Sequence, residues 1–480
     1  MPSKNKERDD RDTRRIMRQI ADRALSRAAG APLMGGNRVV LLKDGEQNYP
    51  AWLGAIRAAK HYICFEPFFI REDEIGREFA DVMIAKAREG VRVRVIYDWL
   101  GDFGKTSRHF WNALRAAGVE VRCYNPPRFD SPFGFVSRDH RKMVAVDGVV
   151  GFISGLCVGR AWIGDLERKI GPWRDTGIEV HGPAVASIER AFVELWGTMG
   201  PPIPEHEIIT ESSGKPAGDV DMLIIATLPA TAGTIRVGEL IAALARERLW
   251  LTDPYFGGTA SYVQALRAAA RDGVDVRLLV PRAMDIRLLQ TISRSGYRPL
   301  LQAGVRIFEW NGPMIHAKTS VADGHWARVG STNLNVASWF GNCELDAGID
   351  NAAFGAALES MFLEDLENST ELVLGPNAKV LAPGQPRQLE RRSTRETDSA
   401  GRATAGAVRL GNAIGAAFTS RRVLEAVEAR LLFTVALMVL GLAILVAMFP
   451  RLIAYPLAAL SVWIGSALFY RAWKLRNQTG

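Results

Sequence analysis

Residues 316–333 read HAKTSVADGHWARVGSTN. His316 and Lys318 are two apart on a strand-like run, so both side chains project from one face. Asp323-Gly324 is a two-residue hairpin turn. The returning strand ends in Gly330-Ser331-Thr332-Asn333. A second copy, HRKMVAVDGVVGFISGLC, occupies residues 140–157. It repeats the pattern with His140, Lys142 and the turn Asp147-Gly148. A two-residue loop sets His316 opposite Ser331 and Lys318 opposite Val329. In the first copy it sets His140 opposite Gly155 and Lys142 opposite Ile153.

The repetition extends beyond the hairpins. YPAWLGAIRAAKHYICFEPFFI (49–70) resembles RVGELIAALARERLWLTDPYFG (236–257). Each reads as a helix, then a short apolar strand ending in an acid and an aromatic residue: Glu66 with Phe68, Asp253 with Tyr255. FADVMIAKAREGVRVRVIYD (79–98) matches YVQALRAAARDGVDVRLLVP (262–281), an amphipathic helix, a glycine stop and an alternating strand. The alternation predicts an α/β fold built as two duplicated lobes. The expected organisation is a charged tail (1–36), a first lobe (37–200), a linker (201–220) and a second lobe (221–375). A polar, basic linker (376–430), a membrane hairpin (431–470) and a basic tail (471–480) follow.

The chain has 480 residues, 48% of them hydrophobic and 23% charged, with a net charge of +8. That is ordinary globular composition, and its basic balance suits an anionic partner, either lipid or nucleic acid. Cys64, Cys123, Cys157 and Cys343 form no CxxC pair and read as reduced thiols. The His residues make no HExxH or Cys/His cluster, so neither a metal nor another cofactor is expected. The N-terminus is charged throughout and is no secretory signal; it reads as a solvated, partly helical tail.

Residues 431–449 and 452–470 carry no charge and are separated by Pro450-Arg451. A helix over each run would span roughly 28 Å, close to the hydrocarbon thickness of a bilayer. The expectation is a transmembrane helical hairpin. Arg421, Arg422, Arg430, Arg471, Lys474 and Arg476 flank it, so the preceding lobes are expected in the cytoplasm.

The paired hairpins suit phosphodiester chemistry. A neutral imidazole can attack phosphorus and hold it covalently. A second imidazole can protonate the departing alkoxide and deprotonate the incoming alcohol. Lys142 and Lys318, with hydroxyl or amide donors, can stabilise charge on the non-bridging oxygens. Asp147 and Asp323 belong to the motif, with turn formation as their main role. Asp175 and Glu344 each follow a hairpin, where a carboxylate could bond the far ring nitrogen of a histidine.

These residues resemble the phospholipase D superfamily, whose motif is a duplicated His-x-Lys-x4-Asp with Gly-Ser-x-Asn. Residues 37–375 look most like the bacterial cardiolipin synthases of that superfamily. The resemblance implies two lobes forming one pseudo-twofold active site, with His140 as nucleophile and His316 as general acid/base. It implies catalytic support from Asp175 and Glu344 and phosphate contacts from Ser331 and Asn333. Gly155, Glu66 and Asp253 are further candidate substrate-binding positions. The first copy departs from the pattern in having Cys157 where an asparagine is usual, and a thiol is a weak donor. The implied activity joins phosphatidylglycerol to phosphatidylglycerol, or to another phospholipid, to make cardiolipin. The implied partners are anionic phospholipids and the bacterial inner membrane, with no nucleic acid. A phospholipase D that uses water, a membrane-tethered nuclease and a non-catalytic lipid-binding scaffold are the alternatives.

Overall fold

The structure is a computed structural model that describes residues 19–127, 136–165, 167–207, 215–283, 296–375 and 450–478, with Arg294, Val380, Leu381, Leu437, Leu440 and Met448. Seven strands build the first lobe: β1 (Met34–Lys43), β2 (Tyr62–Glu66), β3 (Arg92–Asp98), β4 (Glu120–Tyr124), β5 (Met143–Val146), β6 (Val150–Ser154) and β7 (Thr176–His181). Their order is β1-β7-β6-β5-β2-β3-β4, and only β2, β3 and β4 run parallel. The second lobe repeats the arrangement with β8 (Val220–Thr227), β9 (Arg248–Thr252), β10 (Asp275–Pro281), β11 (Arg306–Trp310), β12 (Thr319–Ala322), β13 (Trp326–Gly330) and β14 (Asn342–Asp350). The order there is β8-β14-β13-β12-β9-β10-β11, extended by β15 (Ser369–Leu374) beside β11. The duplication expected from the sequence is therefore a duplication of topology.

Local chemistry repeats as well. Helix α1 (Glu74–Arg88) is capped by the Asp73 carboxylate, which accepts from Gly76 N at 3.1 Å. Its counterpart α2 (Ala260–Arg271) is capped by the Thr259 hydroxyl. Both helices hand over to the next strand through a left-handed glycine, Gly90 at φ +91° and Gly273 at φ +94°, where a side chain would be strained.

The hairpin turns form with the predicted residues. Asp147 and Gly148 have φ of +54° and +66°, and Asp323 and Gly324 have +49° and +69°. The expected register does not hold. Val146 pairs with Val150 and Ala322 with Trp326, which leaves Val149 and His325 outside the ladder. Each donates its N–H back across the turn, to Val146 O at 2.9 Å and Ala322 O at 3.2 Å. This one-residue bulge moves every partner by one, so that Met143 faces Ile153 and Thr319 faces Val329. Turn type alone could not reveal it.

The lobes share one core. Met143, Ile153, Ile178 and Val180 of the first sheet pack with Val321, Val329, Leu345 and Ala347 of the second. Helices α3 (Ala184–Thr198) and α4 (Ala352–Glu367) close this layer through Phe192, Trp196, Phe354 and Phe362. Full burial of such a side chain stabilises the fold by about 1.5–3 kcal/mol. Strand β1 also pairs with β8, joining the two sheets edge to edge.

Two buried arginines cross the seam. Arg141 donates to the carbonyls of Ala191, Thr227 and Glu344, at 2.8, 3.0 and 3.3 Å. Arg174 donates to Asp365 of the second lobe at 2.8 Å and to Asp44 of the first at 3.1 Å.

Two boundaries differ from expectation. Residues 19–29 form a helix whose Leu25 and Ala29 enter the second-lobe core, so the tail is not solvated along its whole length. The transmembrane hairpin is not what the described residues show. Its first arm lies outside them except for Leu437, Leu440 and Met448. Pro450 and Arg451 are not a turn: both lie in a helix described over Pro450–Gln478. Among the described residues no helix is long and apolar enough to cross a membrane.

Replacing Arg141 by Met removes its hydrogen bonds to three interior carbonyls and strips the cation from Glu66, 3.8 Å away. The expected loss is about 3–5 kcal/mol, read as a lower urea midpoint.

Candidate active site

Both His-x-Lys segments lie immediately before the inner strands β5 and β12, at the edge toward which β2 and β9 run. Each is stitched to the opposite lobe by its backbone. His140 N donates to Cys343 O at 2.9 Å, and His316 N donates to Arg174 O at 2.7 Å. The residue after each acceptor is an acid, Glu344 or Asp175.

The side chains follow the same exchange. His140 Nδ1 lies 2.9 and 3.0 Å from the Glu344 carboxylate oxygens. His316 Nδ1 lies 2.8 Å from Asp175 Oδ2. The acid of each lobe thus serves the histidine of the other. A carboxylate at Nδ1 favours the tautomer protonated there and leaves the Nε2 lone pair for chemistry.

The two acids are held differently. Glu344 accepts from Ser331 Oγ at 2.6 Å and Asn342 Nδ2 at 3.2 Å. Asp175 accepts from Trp162 Nε1 at 2.9 Å and from its neighbour's backbone, Thr176 N, at 2.8 Å. Gly155 stands where Ser331 stands in the second lobe, and a Cβ there would come within 2.1 Å of Asp175 Oδ1. Ser331 and Gly155 both adjoin the seats of the two acids. Asn333 is buried, with Nδ2 3.4 Å from Ser338 Oγ and Oδ1 without a hydrogen-bond partner.

The cations converge. Lys318 Nζ lies 3.0 Å from His316 Nε2, and Lys142 Nζ donates to His140 O at 2.5 Å. Burial, followed by the Lys318 ammonium, lowers His316 to about 4 against the pull of Asp175. Burial also lowers Lys318 to about 8; Asp175 resists this and Lys142 adds to it. Burial pushes Asp175 up, but His316 and then Lys318 hold it below the usual carboxylate range. Burial raises Glu344, partly offset by Lys142. The charge of Lys142 therefore reaches His316, Lys318 and Glu344, so the two hairpins share one electrostatic site.

The remaining expected residues sit behind or away from it. Asp147 occupies the far edge and accepts from the backbone N–H groups of Lys60, His61 and Tyr62 at 2.7–2.9 Å. Asp323 does the same for Arg246, Glu247 and Arg248, each at 2.9 Å. Both brace the strand entries. Glu66 is fully buried beside Asp139 and Arg141; burial raises it, Arg141 opposes, and Asp139 rises further beside its charge. Asp253 accepts from Leu334 N at 2.6 Å and Tyr255 N at 2.9 Å, and burial raises it to about 6. Both acids lie beneath the catalytic groups as supports.

Sequence reading missed the aromatic surround. Phe68 meets His140 edge to face at 4.9 Å. Trp162, Trp173 and Tyr255 lie 5.8, 5.7 and 6.2 Å from His316. The acid-then-aromatic ending of β2 and β9 was the available signal for Phe68 and Tyr255. None pointed to Trp162 or Trp173, which arrive on an irregular loop.

The family model described as "Cardiolipin synthase, PLD-like domain" matches residues 53–160 and 240–366, which include both His-x-Lys segments. A cardiolipin synthase of Alkalihalophilus pseudofirmus is 32% identical over 358 residues, 74% of this chain and 71% of the relative. Cardiolipin synthase A of Pseudomonas fluorescens is 33% identical over 359 residues, 73% of each chain. The crystal structure of a phosphatidylserine synthase of Haemophilus influenzae superposes with a TM-score of 0.58 at 14% identity, covering 73% of this chain and 92% of that one, and shares the fold. With the motif duplicated in sequence, in topology and around one site, the chain belongs to the phospholipase D superfamily as a cardiolipin synthase-type enzyme.

Proposed function

We propose that the enzyme transfers a phosphatidyl group from one phospholipid to the glycerol headgroup of phosphatidylglycerol, forming cardiolipin through a phosphohistidine. One observation carries this reading: two histidines, each oriented at Nδ1 by the other lobe's carboxylate, flank lysines that feel each other's charge. The similarity to cardiolipin synthases supports the choice of lipid.

In the first half-reaction His140 Nε2 attacks phosphorus and the bond to the headgroup oxygen breaks. His316 donates a proton to that oxygen, and the alcohol leaves. A phosphodiester anion between Lys142 and Lys318 offsets the positive charge that keeps His316 low, which favours the protonated form when substrate is bound. In the second half-reaction a glycerol hydroxyl attacks phosphorus, His316 takes its proton, and the N–P bond breaks. Diester is exchanged for diester, so no nucleotide drives the reaction. The lysines stabilise charge on the non-bridging oxygens in both halves. Asn333 keeps a buried amide oxygen without a hydrogen-bond partner, an acceptor suited to an alcohol hydroxyl.

The C-terminal helix supports membrane association. Tyr455, Val462, Leu468, Phe469 and Trp473 are exposed on it, and Arg471, Lys474 and Arg476 follow the apolar run. This pattern suits the cytoplasmic face of a bacterial inner membrane.

Incubation with phosphatidylglycerol vesicles is expected to yield cardiolipin and glycerol. Phosphatidic acid as sole product would make water the acceptor and the enzyme a hydrolase. His140→Ala is expected to abolish turnover and trap no phosphoenzyme. His316→Ala is expected to lower it by about 10²–10⁴-fold.

Because Lys318 is pulled down to about 8, its ammonium is lost as pH rises through that value. The ratio kcat/KM is expected to fall on the alkaline side accordingly. A Lys318→Arg variant, whose guanidinium stays charged, is expected to move that limb to higher pH.

Gly155→Ala drives a methyl group into Asp175 and is expected to cost activity through His316. An unchanged kcat would refute this placement of the acid.

A further inference from the structure

Strands β2, β3 and β6 all end at the edge that carries the catalytic groups. After β3 the chain passes through Trp99–Asp102 and Phe103. Gly101 lies so close to Phe68 that a Cβ would meet its ring at 2.6 Å. Phe68 in turn packs on His140. At the tip, Phe103 is 64% exposed. After β6, the loop that brings Trp162 and Trp173 to His316 leaves Ile163 and Ile170 exposed by 40% and 46%. In the second lobe, Phe340 is 43% exposed, two residues before Asn342, which donates to Glu344.

Single apolar residues on a surface need no explanation. Here four large ones stand on the very segments whose inner faces hold His140, His316 and Glu344. Arg168, with 74% of its side chain exposed and Asp165 3.6 Å away, and exposed Lys169 lie on the same loop as the two isoleucines, beside exposed Glu167. Val149, exposed at the hairpin turn on the opposite edge, has no such company.

We propose that this edge is a bilayer-docking face. Phe103, Ile163, Ile170 and Phe340 enter the boundary between headgroups and acyl chains, and Arg168 and Lys169 meet anionic headgroups. The proposal rests on the phosphatidyltransferase reading and adds to it that the catalytic lobes themselves engage the membrane, apart from the C-terminal helix. A lipid phosphate then needs only a short rise from the bilayer to reach histidines that are themselves nearly buried.

The test uses the full chain carrying Phe103→Cys, Phe340→Cys or Val149→Cys, each labelled with an environment-sensitive fluorophore. The label on the unsubstituted chain supplies the background from the native cysteines. On adding phosphatidylglycerol vesicles, emission at 103 and 340 is expected to brighten and shift to the blue, while position 149 stays unchanged. No response at 103, or an equal response at 103 and 149, overturns the proposal. Phe103→Ser combined with Ile170→Ser is expected to raise KM for vesicle lipid about tenfold. Turnover of a water-soluble phosphodiester should be unaffected; equal losses on both substrates also overturn it. If the parent transfers no phosphatidyl group while position 103 enters the bilayer, the proposed reaction fails and the docking face stands.

Discussion

The fold depends on a reciprocal exchange: neither lobe can orient its own histidine. Glu344 of the second lobe holds His140 of the first, and Asp175 of the first holds His316 of the second. The exchange reaches the backbone, because the histidine amides bond to the residues preceding those acids. Separating the lobes would unpair two buried carboxylates and two ring nitrogens at once. Catalytic geometry and interdomain cohesion are therefore one set of bonds.

Bringing so much charge into the interior carries a desolvation cost, and the seam shows how it is offset. Arg141 spends its guanidinium on three carbonyls drawn from both lobes and lies near the Glu66–Asp139 carboxyl pair. Arg174 sits between Asp44 and Asp365. Lys142 and Lys318 stand apart from this pattern. They are buried; the charge of Lys142 lowers Lys318, and both lysines lower His316. The buried Asp175 and Asp253 carboxylates act against this on Lys318, and Lys142 lies within reach of Glu344.

The two halves have also diverged. The longer Glu344 is fastened by a serine hydroxyl, whereas the shorter Asp175 is fastened by an indole and needs a glycine behind it. Cys157 replaces the first-lobe asparagine and is buried, with its carbonyl accepting from Tyr49. Aromatic rings crowd His316 more than His140. A pseudo-symmetric frame can thus present two unequal environments to the two lipid molecules of one reaction.

Much was legible in the sequence because it is local. Asp-Gly turns, left-handed glycine stops and the spacing of His and Lys depend on nearby residues, and their repetition exposed the duplicated α/β lobes and the paired His-x-Lys segments. The hairpin register was not legible, since the bulges at Val149 and His325 are set jointly by the turn and the neighbouring strand that Asp147 or Asp323 clamps. The buried surroundings of Ser331, Gly155, Glu66 and Asp253 were not legible for a related reason: which side of a strand faces a buried acid depends on the other lobe. Composition and motif by themselves determined that each lobe carries one imidazole and one ammonium two residues apart. Only the tertiary structure decided that each imidazole is oriented from across the seam, because a contact between residues more than a hundred positions apart leaves no periodic trace in the chain.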